Sequence, residues 1–224
     1  MTSKQPRERV GLALAGGGPL GAIYEIGTLV ALSEALEGLD FNELDVYVGV
    51  SAGALIAAGL ANGMTPAAMC RMFIDSDSAE VPFDPAMLMR PALGEYAARL
   101  ARLPGLLRDS AREYLSDPLH KDLLASFERL GRMLPAGVFD NRGIGEMMQR
   151  LFTHAGRSND FRDLKHRLFL VATDLDTGEA VAFGAPGHDH VPISTAVQAS
   201  AALPGLYPPV PIDGRWYVDG ALKK

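Results

Sequence analysis

A chain of 224 residues is long enough for one sizeable domain with its own core, and 48% hydrophobic against 21% charged residues is ordinary globular composition. A net charge of -6 argues against general nucleic-acid binding. Cys70 is the single cysteine, so no intrachain disulfide forms, and the chain suits a reducing, cytoplasmic compartment.

Residues 1–10 are polar and charged, and no apolar stretch of signal-peptide length follows them before the first glycines, so no export signal is expected. Residues 10–15 (Val-Gly-Leu-Ala-Leu-Ala) read as a buried first strand, broken by Gly16-Gly17-Gly18. Residues 20–36 carry apolar side chains at helical spacing, with Gly38 as the stop. A second strand is expected over 45–50 and a helix over 52–61, stopped by Asn62-Gly63; Thr65-Pro66 reads as the cap and first turn of the next helix. Residues 46–70 contain no charge and are long enough to cross a bilayer. Four glycines, Ser51, Asn62 and Thr65-Pro66 in that run instead favour a strand, a tight turn and a buried helix of small residues.

The segment 83–150 changes character. It is rich in Leu, Met, Arg and Pro and predicts several short helices broken at Pro91, Pro104, Pro118 and Pro135. Between 86 and 135, eight Lys/Arg stand against six Asp/Glu, with leucines interleaved among arginines. Two readings fit: a basic amphipathic cover that rests on a lipid surface, or a solvated helical cap packed on the core. Met87, Met89, Met133, Met147 and Met148 suit an adaptable acyl-chain pocket or an irregular core equally well. Strand patterning returns at 167–173, followed by a hairpin-type turn at Asp176-Thr177-Gly178-Glu179 and a short strand at 180–183. A helix is expected over 193–202, then a hairpin over 212–218 running into Asp219-Gly220. Strands separated by helices imply an α/β sheet with helices on its faces.

Two constellations carry chemistry. Gly49-Val50-Ser51-Ala52-Gly53 is a G-x-S-x-G at a strand-to-helix junction, where a sharp turn pushes the serine out of the backbone and its neighbours must be tiny. Gly16-Gly17-Gly18-Pro19-Leu20-Gly21 follows the first strand and opens a helix, a nest of N–H groups for negative charge. The second motif fits either a dinucleotide site or an oxyanion hole. A dinucleotide fold wants an acidic residue at the end of the second strand, whereas this strand begins with Asp45 and ends in Ser51. In a parallel sheet both turns lie at one edge, so nest and serine become neighbours, an acyl-transfer arrangement. Serine then needs a base. A Ser–His–Asp triad can be drawn from Ser51, Asp174 or Asp176, and His188 or His190; Asp219, at the end of an apolar hairpin strand, is the carboxylate alternative.

With these motifs in order, the chain resembles the patatin-like phospholipases: Gly16 to Gly21, the G-x-S-x-G of Gly49 to Gly53, and Asp219-Gly220-Ala221 for the family's D-G-G/A. The segments Ala172-Thr173-Asp174-Leu175 and Ala199-Ser200-Ala201-Ala202-Leu203-Pro204-Gly205 are also similar to family segments. The resemblance implies a three-layer α/β/α fold with a mainly parallel central sheet, a domain over residues 8–224 and a helical insertion near 83–150. It implies a Ser–Asp dyad without histidine, with Ser51 as nucleophile, Asp219 as base, and Gly16, Gly17, Gly18 and Gly21 forming the oxyanion hole. It implies a lipid or phospholipid ester as substrate, contact with a membrane surface, and no cofactor or metal. Two departures stand out. The family places Arg or Lys between its last glycines, where this chain has Pro19-Leu20, which favours neutral esters; and relatives continue well beyond Lys224.

Overall fold

The computed structural model describes residues 9–75, 84–91 and 137–222. Among them, the order is β1 (Gly11–Leu14), α1 (Gly18–Ala35), β2 (Val46–Val50), α2 (Ala52–Ala61), α3 (Pro66–Phe73), α4 (Arg142–Phe152), β3 (Arg167–Asp174), β4 (Ala180–Phe183), α5 (Ile193–Ser200), β5 (Val210–Ile212) and β6 (Arg215–Asp219). A short 3-10 helix, Pro85–Met89, precedes α4. The result is the α/β fold implied by the sequence.

The uncharged run 46–70 resolves into strand, turn and two helices. The small residues of α2 bring it close onto β1, β2 and β3, and eight of its ten residues are buried. Thr65 caps α3 by accepting the Ala68 N–H at 3.2 Å, with Pro66 in the first turn as predicted. Among the described residues, no helix is long and apolar enough to cross a membrane. Helix α1 begins two residues earlier than its apolar periodicity suggests, because Pro19 is accepted in a first turn where its missing N–H costs nothing. The stretch 92–136, with Met133 and the predicted breaks at Pro104, Pro118 and Pro135, lies outside the described residues. Met87, Met147 and Met148 are buried in the core, whereas Met89 is exposed.

Strands β1, β2 and β3 are parallel, with Ala13 beside Val48 and Val48 beside Phe169. Tyr47, Gly49, Leu168, Leu170 and Ala172 form the buried face, which α2 covers; Val46, Val48, Val50, Phe169 and Val171 form the half-buried opposite face. Strand β3 is the pivot. Its first part pairs with β2 (Val50 beside Val171), and its last part pairs with antiparallel β6 (Ala172 beside Asp219). Strand β4 pairs with residues 170–173 of β3 and so occupies the other edge. Strands β2 and β6 therefore share one edge of β3 and meet end to end, β2 arriving with Ser51 and β6 arriving with Asp219. This junction brings together two residues 168 positions apart in the chain.

Candidate active site

Ser51 sits between β2 and α2 with φ 55° and ψ -119°. It is one of two non-glycine residues with positive φ among the described residues; the other is Asp213 in the β5–β6 turn. Such a conformation costs roughly 1–3 kcal/mol and persists only where the surroundings enforce it. Here the enforcement is visible. The Ser51 N–H donates to Ser200 Oγ at 2.8 Å, the Gly53 N–H donates to the Ala15 carbonyl at 3.1 Å, and the Ala54 N–H donates to the Ser51 carbonyl at 3.0 Å. A Cβ on Gly49 would lie 2.5 Å from the Gly53 carbonyl oxygen, and one on Gly53 would lie 2.6 Å from that of Ala15. The two glycines that define the motif are thus required by the crossing of strand and helix.

The serine hydroxyl donates to Asp219 Oδ2 at 2.6 Å. Asp219 is only 3% exposed, and each of its other polar groups is held: Oδ1 accepts the Ala221 N–H at 2.8 Å, its carbonyl accepts Thr173 Oγ1 at 3.1 Å, and its own N–H donates to the Ala202 carbonyl at 3.0 Å. A Cβ on Gly220 would collide with the Val171 carbonyl oxygen, so the chain passes the β2–β6 junction only with glycine there. Ala221 lies on the other side of the pair, against Gly16.

The glycine loop closes the arrangement. A Cβ on Gly16 would stand 3.1 Å from Ser51 Cβ and 3.7 Å from its Oγ. Gly17 is the N-cap of α1, its carbonyl accepting the Gly21 N–H at 3.0 Å, while Gly18 has φ 58°. No side chain caps this helix start and no acidic residue occupies its first turn. The loop is anchored by Glu25 one turn further on: its Oε1 accepts the Ala15 N–H at 2.9 Å, while Oε2 is buried without a hydrogen bond. Burial pushes the Glu25 carboxyl up, only partly offset by the Ala15 hydrogen bond.

Among the described residues, no histidine reaches this site. His190 Nε2 pairs with Asp213 Oδ2 at 2.8 Å, at the far end of β6 and about 13 Å of strand away from Asp219. His188 packs its ring on the edge of Phe183, and His166 lies before β3 beside Glu43 and Tyr47. His120 lies outside the described residues. Asp174 is also taken: Arg215 Nη1 donates to its Oδ2 at 2.6 Å and turn N–H groups of Asp176 and Thr177 donate to Oδ1, so its carboxyl is held below the usual range, chiefly by Arg215. No group of three His, Cys, Asp or Glu able to hold a metal gathers among the described residues.

Sequence reasoning placed Ser51, Asp219, Gly16 and Ala221, and they are found together. It missed Ser200 and Glu25. Ser200 is fully buried and bridges two elements, donating to the Val171 carbonyl at 2.6 Å while accepting from Ser51. A serine inside an otherwise apolar helix end and a lone glutamate after fifteen uncharged residues were the available signals.

An α/β protein with a strained serine on a strand–helix elbow, hydrogen-bonded to a buried aspartate beside a glycine-rich helix start, has the form of a serine hydrolase scaffold. The family model described as patatin-like phospholipase matches residues 12–224, and the chain belongs to that family. Its fold is similar to that of VipD from Legionella pneumophila, with a TM-score of 0.51 at 19% identity over 97% of this chain and 46% of VipD. It is also similar to ExoU in the heterodimeric ExoU–SpcU complex from the type III secretion system of Pseudomonas aeruginosa, with a TM-score of 0.40 at 21% identity over 88% of this chain and 37% of that one. The chain spans less than half the length of these proteins.

Proposed function

We propose that the protein is a serine acyl hydrolase of lipid esters, working through a Ser51–Asp219 dyad. The single observation that carries this reading is the 2.6 Å hydrogen bond from Ser51 Oγ to a buried Asp219, at a strained elbow. Family membership supports the lipid ester as substrate class.

Asp219 takes the hydroxyl proton as Ser51 Oγ attacks the ester carbonyl carbon, and the C=O electron pair moves onto oxygen. The loop of Gly16, Gly17, Gly18 and Gly21 receives that oxyanion, Gly16 lying against the nucleophile and the α1 N-terminus being uncapped by any side chain. Collapse breaks the bond to the alcohol, which leaves with the proton held by Asp219, and Ser51 carries the acyl group. A water molecule then gives its proton to Asp219 and attacks the acyl carbon. Ser51 leaves with that proton, and the fatty acid is released. The second oxygen of Asp219 stays on the Ala221 N–H throughout, which fixes the carboxylate against rotation.

Ser51→Ala and Asp219→Asn are each expected to lower kcat on a p-nitrophenyl ester by about 10³-fold or more. A fluorophosphonate is expected to label Ser51. Replacing the five histidines together should leave most of the activity. A folded protein that fails to label at Ser51 would overturn the reading, and loss of activity with the histidines would replace the dyad by a triad.

A further inference from the structure

We infer that Thr173 is a positioning residue for the dyad: its hydroxyl, by holding the Asp219 carbonyl, sets the direction from which the Asp219 carboxylate meets Ser51. This rests on the hydrolase reading above and adds a residue to the same site. The Asp219 N–H and Oδ1 are held by backbone groups, the Ala202 carbonyl and the Ala221 N–H, and Oδ2 is held by the nucleophile itself. The remaining hold is a side chain: Thr173 Oγ1 donates to the Asp219 carbonyl at 3.1 Å. Thr173 touches no reacting atom, so its action passes through Asp219.

The strand presents that hydroxyl from a fixed point. Thr173 is buried in β3, with Ala180 of β4 as its partner on one side and Val218 of β6 on the other. A β-branched side chain on a strand paired along both edges has few χ1 choices, so the donor direction is set. The carbonyl it holds belongs to the peptide that joins Asp219 to Gly220. That peptide carries the chain to the Ala221 N–H, which turns back onto Oδ1 at 2.8 Å. If the peptide rotates, Ala221 moves and the carboxylate loses the orientation that gives its 2.6 Å bond to Ser51. The nucleophile is anchored from the same strand. Ser200 Oγ donates to the Val171 carbonyl and accepts the Ser51 N–H. The stretch 171–173 of β3 therefore carries the anchor of the serine at one end and that of the aspartate at the other. Removing the Thr173 hydroxyl leaves a buried carbonyl without this donor and free to turn.

The test uses the full chain and a graded donor series: Thr173→Ser keeps a hydroxyl, Thr173→Cys offers a weak thiol donor, and Thr173→Val keeps the shape with no donor. On a p-nitrophenyl ester, kcat should fall by no more than about twofold for the serine variant, several-fold for cysteine and about tenfold or more for valine, with KM within about twofold throughout. The rate at which a fluorophosphonate labels Ser51 should fall in the same order, because Ser51 Oγ displaces fluoride from phosphorus as Asp219 takes its proton. Thr173→Val combined with Ser200→Ala should cost less than the product of the two separate falls, since both act on one hydrogen bond. If the valine variant does not fold, serine against cysteine decides: a slower cysteine protein supports the inference and an equally fast one overturns it. A folded valine variant that melts lower yet keeps kcat and labelling rate within about twofold of the parent overturns it too, as does a serine variant as slow as valine or a double variant that shows the full product. A parent protein that neither cleaves the ester nor labels at Ser51 overturns the hydrolase reading itself, and the inference with it.

Discussion

The two edges of the central sheet present opposite chemistry. At the edge where the parallel strands begin, Lys165 Nζ lies 2.5 Å from Glu43, His166 lies 3.4 Å from the same carboxylate, and a cleft of about 520 Å³ is lined by Asn42, Asn62, Arg157 and these charged groups. Lys165 drives the Glu43 carboxyl down. At the edge where the strands end, there is a strained serine, two buried carboxylates (Asp219 on Ser51 and Asp174 on Arg215) and long uncharged segments. Concavity and charge mark the first edge; backbone strain and a desolvated partner mark the second. Ion pairs in water change little when they are lost, whereas a buried carboxylate with a single hydroxyl donor is sensitive to every group that positions it.

The sharpest way to break the contrast is Ser200→Ala. Ser200 touches no reacting atom in this structure; it positions Ser51 by accepting its N–H and donating to Val171. Its loss leaves a buried N–H and a buried carbonyl without partners, at a cost of about 1–3 kcal/mol in a urea titration. If the strained elbow matters to the chemistry, kcat falls about tenfold or more with KM little changed. A variant that loses stability but keeps kcat would reduce Ser200 to a core serine.

Local chemistry made much of this legible in the sequence. The Gly49 and Gly53 spacing, the run of small residues after it and the Asn62-Gly63 stop fix β2 and α2, because each depends on neighbours within a few positions. The Thr65-Pro66 start of α3 and the 180–183 strand are legible for the same reason. What escaped is long-range. That β2 and β6 meet end to end on one edge of β3 depends on two long-range registers, Val50 beside Val171 and Ala172 beside Asp219, and hydrophobic alternation does not encode them. Asp219 could be nominated from its place after an apolar strand, but where His188 and His190 lie relative to it depends on topology: the His190–Asp213 pair sits at the other end of β6. Ser200 could not be assigned a partner 149 residues away.

A smaller effect separates anchoring from charge at the glycine loop. Glu25 has its carboxyl pushed up by burial, so its contribution to stability is fully present below about pH 4.5 and is lost as pH rises through its raised folded value. Glu25→Gln keeps a carbonyl oxygen for the Ala15 N–H and removes the ionisation. The variant should therefore gain stability relative to the parent protein as pH rises above that point, with the difference read from thermal melts between pH 4 and pH 8. Glu25→Ala loses the anchor as well and should lower kcat at every pH. A melting difference between the parent and Gln proteins that is flat with pH would show that ionisation at this position has no energetic consequence.

The smallest effect belongs at the charged edge. Lys165 and Glu43 are both largely solvent-exposed despite their short separation, so water and salt already screen most of their attraction. Lys165→Ala removes the largest cause that lowers the Glu43 carboxyl, and its pKa should rise, with His166 still beside it. The parent pair contributes only above the ordinary carboxylate value and loses its effect as pH falls through the lowered one, so any difference between parent and variant vanishes in acid. At neutral pH, the urea midpoint should shift no more than the reproducibility of the titration, and kcat on a p-nitrophenyl ester should stay within about twofold. Strands β2 and β3 separate this pair from Ser51 by about 16 Å, beyond the Debye length at physiological salt, and none of the hydrogen bonds around the dyad passes through it. A several-fold change in kcat here, with stability unchanged, would mean that the two edges are coupled through the sheet and that the polar cleft participates in the chemistry at the other end.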